Sequence, residues 1–149
     1  MNGYNGFSPQ QRERAQRWLV QQWASGNVPR PSRCCACGQG KGIIHAHAED
    51  YSEPFGRHLF DYSLCYRCHM MVHCRFQNRA AWTRFTGLLR DGWSWEPITV
   101  PGFGIIRSFL NGGGEPTIKG PSRETLIFDT MLKDHGALGH RGQQLLMLD

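Results

Sequence analysis

At 149 residues the chain has room for one domain, and 40% hydrophobic content with 18 Gly and 8 Pro implies a thin core cut by many turns. No apolar run is long enough to span a bilayer, and Met1-Asn2-Gly3-Tyr4-Asn5-Gly6 lacks the charged and apolar regions of a secretion signal, so a cytoplasmic, reducing setting is expected. The net charge of +5 rests on 14 Arg against 3 Lys; guanidinium groups suit bidentate phosphate contacts, although a basic soluble surface reads the same way.

Ser8-Pro9-Gln10-Gln11 is a capping-box start with proline at the first helical position. Ala15, Trp18, Leu19 and Trp23 follow at helical spacing, and Gly26 supplies a stop. Arg12, Arg14 and Arg17 lie on the other face, either as a solvated surface or as phosphate contacts. After Pro29 and Pro31, residues 40–48 read as a short strand, 53–57 as a loop and 59–64 as a second strand. A helix is expected from near Cys68 to about Phe76. Asn78 is a good N-cap for another, with Trp82, Phe85, Leu88 and Leu89 on one face and Gly92 at its end. Trp93 and Trp95 alternate as in a strand, and these aromatics read as core. Beyond them come an apolar patch (Ile105, Ile106, Phe109, Leu110), a flexible loop at 111–114 and a short helix from Ser122 to about Lys133. The apolar tail 143–148 is suited to docking on the core or on a second subunit.

Cysteine spacing carries the strongest signal. Cys34 with Cys37 and Cys65 with Cys68 form two C-x-x-C knuckles separated by 27 residues, a spacing that closes a four-thiolate zinc site with no open position. Disulfides are the other option for such pairs, and a reducing compartment favours metal. Cys35 and Cys74 then read as small buried apolar residues. His69 and His73 are four apart on the predicted helix and share a face. His45 and His47 alternate on the first strand and also share a side. Two helical histidines fill half the shell of a divalent ion, so the missing ligand is expected from the hairpin.

The segment from Cys34 to His73 resembles the HNH, or ββα-metal, endonucleases, above all the zinc-knuckle HNH proteins common in phages and prophages. Their pattern runs C-x-x-C, then A-H-H-x-D-Y-S-x-P, then L-C-x-x-C-H-x-x-x-H. Here it reads Ala46-His47-Ala48-Glu49-Asp50-Tyr51-Ser52-Glu53-Pro54 and Leu64-Cys65-Tyr66-Arg67-Cys68-His69-Met70-Met71-Val72-His73. The resemblance implies an α+β fold. Residues 31–77 would be an HNH-like ββα-metal core stapled by Zn2+ at Cys34, Cys37, Cys65 and Cys68. An N-terminal helix (1–30) and a helical and loop extension (78–149) would pack around it.

The resemblance also implies a second divalent ion (Mg2+, Mn2+, Ni2+ or Zn2+) at His47, His69 and His73, and hydrolysis of DNA phosphodiesters. Arg57, Arg67 and Arg75 are the phosphate contacts expected beside the motif. The second histidine of the family's pair, the general base, falls on Ala48, which accepts no proton. The family's middle Asn falls near Phe60 or Asp61 and is also unmatched. His45 is then the replacement base, which with His47 completes the expected catalytic pair. The alternative is a catalytically inactive HNH-like zinc protein that binds DNA or a protein partner, as a phage-encoded regulator or inhibitor does. Loss of a placed base costs ~10²–10⁴-fold in rate, which fits either a weakened enzyme or none.

Overall fold

The capping box closes as its sequence requires: the Gln11 N–H donates to the Ser8 hydroxyl, and the Ser8 N–H donates to the Gln11 side chain. It starts helix α1 (Pro9–Ser25), which ends where Gly26 turns left-handed at φ 80°. The computed structural model describes residues 1–132. An irregular stretch with the first knuckle leads to strand β1 (Ile44–His47), which pairs antiparallel with β2 (Tyr62–Cys65) in the register Ile44↔Cys65 to His47↔Tyr62. Helix α2 (Tyr66–Cys74) follows β2 without a linker, because Cys65 acts as its N-cap and its sulfur accepts from the Cys68 N–H. Two antiparallel strands running straight into a helix thus form the centre of a mixed α and β architecture.

Helix α3 (Arg79–Arg90) starts on Asn78, whose side chain accepts from the Ala81 N–H. Strand β3 (Trp93–Ser94), helix α4 (Gly104–Leu110) and strand β4 (Ile118–Lys119) come next, and β3 pairs antiparallel with β4. Residues 127–132 are again helical. Gly92, at φ +94°, makes the turn from α3 into β3; a Cβ there would lie 2.2 Å from the Gly120 carbonyl oxygen.

The main core joins both halves of the chain. Cys34, Leu64, Cys65, Cys68 and Met71 from the knuckles and hairpin pack in one buried cluster with Phe85, Phe109, Phe128 and Met131. A second, smaller cluster (Ala15, Ala48 and Leu59, flanked by Trp18, Tyr51, Phe55 and Phe60) holds α1 against the end of β1 and the loop after it.

Several boundaries differ from the sequence reading. The first strand is only four residues long. The second starts at Tyr62, because a 3-10 turn (Arg57–Leu59) takes Leu59 into the small cluster. Helix α2 begins at Tyr66, two residues early. The apolar patch near 105–110 is a helix rather than loose chain, fixed by the burial of Ile106 and Phe109. The last helix begins at residue 127, where the Asp129 carboxylate accepts the Leu126 N–H, instead of at Ser122. The expected end of that helix at Lys133 and the apolar tail 143–148 lie outside the described residues. Among the described residues no helix is long and apolar enough to cross a membrane.

Candidate metal centre

The first knuckle is shaped by short-range bonds. The Gly38 N–H donates to the Cys34 carbonyl, the Cys34 N–H donates to the Gln39 carbonyl, and the Cys37 N–H points at the Cys34 sulfur from 3.5 Å. Gly38 takes the left-handed φ of 83° that such a reversal needs. The second knuckle is the β2–α2 junction. The ligand atoms of Cys34, Cys37, Cys65 and Cys68 all lie within 4.8 Å of one another. The Cys37 and Cys65 sulfurs are 3.9 Å apart. Tetrahedral Zn–S bonds of about 2.3 Å place sulfurs at about that separation, so the four thiols fit a structural zinc ion. The crowding has an acid–base signature. Hydrogen bonds from Cys37, Cys65 and Cys68 pull the Cys34 thiol far down and Cys37 is lowered with it, whereas hydrogen bonds to Cys34 and then Cys37 push Cys65 and Cys68 up. The first knuckle ionises at the second knuckle's expense, and a shared cation would relieve that competition.

The histidines come together between β1 and α2. His47, His69 and His73 each offer a ring nitrogen within 4.8 Å of the others. The Nε2 atoms of His69 and His73 are 3.1 Å apart, and the Nδ1 atoms of His45 and His69 are 3.0 Å apart. Burial first, then the neighbouring His47, His45 and Arg12, hold His69 well below the usual imidazole value. His73 is lowered by burial, then by His69, His47 and Arg12. Both rings are therefore neutral at pH 7, the form in which an imidazole donates a lone pair to a metal.

Hydrogen-bond accounting separates the two nitrogens of each ring. His47 Nε2 is 2.6 Å from Glu49 Oε2 and donates to it, which leaves Nδ1 as a buried nitrogen without a partner. If His69 Nδ1 donates to His45 Nδ1, the lone pair of His69 Nε2 faces the Nε2 of His73. His73 Nδ1 is likewise buried without a partner. Orphaned nitrogens of this kind are rare in a folded interior, and each of the three rings offers one nitrogen that a shared cation could use. The residues present therefore fit a divalent metal.

Glu49 organises this centre, and the sequence reading missed it. Its carboxylate is fully buried and accepts hydrogen bonds from His47, the Tyr4 hydroxyl (2.5 Å), Asn5 Nδ2 (2.9 Å) and Arg75 Nη2 (2.7 Å). Burial pushes the carboxyl up, but the hydrogen bond from His47, the Arg75 guanidinium and the Tyr4 hydroxyl outweigh it and hold the group well below the usual carboxylate range. His47 ends β1 and Glu49 lies in the bend just after it, and their two-residue spacing was the one available signal.

Of the expected arginine contacts, two are buried. Arg75 is 4% exposed and is consumed by Glu49, Tyr4 and the Val72 carbonyl, so it is not free to meet a phosphate. Arg67 is 7% exposed, with its guanidinium over the Trp95 ring. Burial lowers it, and the neighbouring Cys65, Cys68 and Cys37 groups raise it by less, so it lies beside the knuckle sulfurs. Arg57 is exposed and pairs with Asp61. Cys74 is buried as expected, its thiol pushed up to about 11 by burial, but Cys35 is exposed and donates to the Ser63 carbonyl. Ala48 does not look onto the histidines: it packs against Ala15 and Leu59 under α1.

The triad's accessible side opens through His69 and His45 into a cleft of about 430 Å³ lined by Arg12, Gln16 and Trp23 of α1, Arg30, and Ile44 to Ala46 of β1. Compared with family models, with curated proteins and with solved structures, the chain matches none.

Proposed function

We propose that this chain is a metal-dependent nuclease of HNH, ββα-metal type, weakened in catalysis and stapled by a structural Zn2+ at Cys34, Cys37, Cys65 and Cys68. The observation that carries the reading is the convergence of His47, His69 and His73 from a strand and a helix, beside a cleft that also holds Arg12 and Arg30. The reading includes an intracellular setting, because six cysteines with no disulfide among them suit a reducing compartment.

A divalent cation at the three rings would stabilise charge developing on a scissile phosphate and its leaving oxygen. The chain's own residues set the rest. Glu49 accepts the His47 Nε2 proton and so aims Nδ1 inward. Arg12 and Arg30 draw the phosphodiester backbone to the cleft by charge. His45, lowered by burial, is neutral and can hold a proton at either ring nitrogen. Its Nδ1 lone pair, however, is engaged when His69 donates to it, so His45 serves better as the acceptor that orients His69 than as a free base. With alanine at position 48, no other base is supplied, and turnover should fall ~10²–10⁴-fold below that of an enzyme with one.

The test is nicking of supercoiled plasmid with Mg2+, Mn2+, Ni2+ or Zn2+. Slow nicking that disappears in His69→Ala, with one zinc per chain retained by native mass spectrometry, is the expected result. A folded protein that nicks with none of these ions overturns the reading. It would favour the second one, a zinc-stabilised binding protein, which is supported by α1 packing over Ala48 where the family's base would act.

A further inference from the structure

The cleft has one wall that the hairpin does not supply. Helix α1 contributes Arg12, Gln16 and Trp23, and the chain after it adds Arg30 and Pro31, facing Ile44, His45 and Ala46 of β1 and His69 of α2. This wall is fixed in place. Ala15 packs on Ala48 and Leu59, Trp18 meets Phe55 with ring centroids 5.9 Å apart, and Arg14 pairs with Glu53 at 3.3 Å.

Three features of the wall belong to the recognition of an unpaired nucleotide. Trp23 is half-buried with Arg30 stacked 5.2 Å from its centroid, an aromatic and guanidinium platform of the kind on which bases stack. Its indole Nε1 and the Arg12 Nε are buried without hydrogen-bond partners, on two residues that line the cleft. Neither Arg12 nor Arg30 takes part in an ion pair among the described residues; Arg12 is held by the neutral Asn2 carbonyl, the Tyr51 hydroxyl, and the Tyr4 and Tyr51 rings. At about 430 Å³ the space matches a small-ligand pocket. Such pockets run from roughly 300 to 1,000 Å³, the scale of one nucleotide rather than a stacked base pair.

We propose that the cleft binds a single-stranded polynucleotide, with one base against Trp23 and Arg30 and the adjoining phosphate at Arg12, so that the next linkage lies at His45 and His69. The inference rests on the nuclease reading for the end of the strand at the histidines. The base platform is an element of α1 and the linker after it, outside the segment that resembles the HNH proteins. Stacking is tolerant of base identity, so selection would act on strandedness more than on sequence.

Fluorescence anisotropy with a labelled 12-mer of deoxythymidine, its uridine counterpart and a mixed-sequence 12-base-pair duplex, without added divalent ions, tests this. The expected result is tighter binding of a single strand than of the duplex, with a salt dependence set by few phosphate contacts. The DNA and RNA arms decide which sugar the cleft accepts. Trp23→Ala should weaken single-strand binding by roughly tenfold, Trp23→Tyr should restore most of it, and Arg30→Gln, at an exposed position, should weaken it without changing thermal stability. Equal or tighter binding of duplex, or single-strand binding indifferent to Trp23→Ala in a folded protein, overturns the proposal even if the plasmid is nicked. Single-strand binding that depends on Trp23 but comes with no cleavage by any ion keeps the cleft assignment and removes the nuclease reading.

Discussion

Glu49 ties the histidines to the rest of the protein. Replacing it with glutamine keeps the shape but removes the charge that Arg75 faces from a buried position. Breaking a buried pair in this way costs about 3–5 kcal/mol, because the guanidinium is left uncompensated. Losing the carboxylate behind His47 should also weaken metal binding about 10–100-fold. Thermal denaturation and calorimetric metal titration of Glu49→Gln read the two effects separately. The acid response has a definite sign. A carboxyl held below its ordinary value contributes stability that is fully present above that value, about 4.3, and is lost as pH falls through the lower folded value. Glu49→Gln should therefore show a shallower loss of stability below pH 4 than the parent.

Ala48 makes the opposite case. If only a base were missing, histidine there would restore one. The side chain instead points into the packing between α1 and Leu59, beside a void of only about 30 Å³. Ala48→His should destabilise by about 1–3 kcal/mol through overpacking and leave nicking no faster, as measured by urea denaturation and the plasmid assay. A large gain in rate with stability unchanged would mean that α1 yields at this point.

Among the elements, Gly92 is the position with least freedom. Both its φ of +94° and the 2.2 Å approach of the Gly120 oxygen oppose a side chain. Gly92→Ala should cost at least about 1–3 kcal/mol in backbone strain and break the β3–β4 pairing, seen as exchange of the Gly120 amide, which otherwise donates to Gly92. Legibility of the elements from sequence followed their caps. Helices α1 and α3 could be read because Ser8 and Asn78 announce them and their apolar residues recur at helical spacing. Helix α4 could not, since Phe103 offers no side-chain cap bond and seven residues carry too little periodicity; burial of Ile106 and Phe109 decides it. The early start of α2 was hidden because a cysteine sulfur acts as the cap. The cysteine and histidine clusters were readable for the same local reason: spacings of three, four and two residues fix which side chains share a turn, a helix face or a strand face. The Glu49 cluster was not readable, because Tyr4 and Asn5 reach it from 45 and 44 positions away and no local pattern records that.

At the scale of the whole molecule, the knuckles are not an appendage. Cys34, Cys65 and Cys68 belong to the same buried cluster as Phe85, Phe109 and Phe128. Stripping the thiolate-bound metal with a chelator should therefore unfold hairpin and C-terminal helices together, as one cooperative transition seen alike by far-UV circular dichroism and by tryptophan fluorescence. Cys65→Ala should mimic it, since structural zinc supplies folding free energy directly. Two separate transitions would mean that residues 78–132 hold together without the metal.

The hydrogen bond from Arg75 to Tyr4 spans 71 positions. Chains emerge from the ribosome N-terminus first, at roughly 5–20 residues per second, so Tyr4 and Asn5 wait several seconds for the guanidinium that secures them. During that interval His47 has no locked Glu49 behind it, and the imidazoles are not yet aimed at a common point. The order of synthesis thus delays the convergence of His47, His69 and His73 until α2 has been made and Arg75 has followed it, so the nascent chain leaves the ribosome before its histidine cluster is assembled.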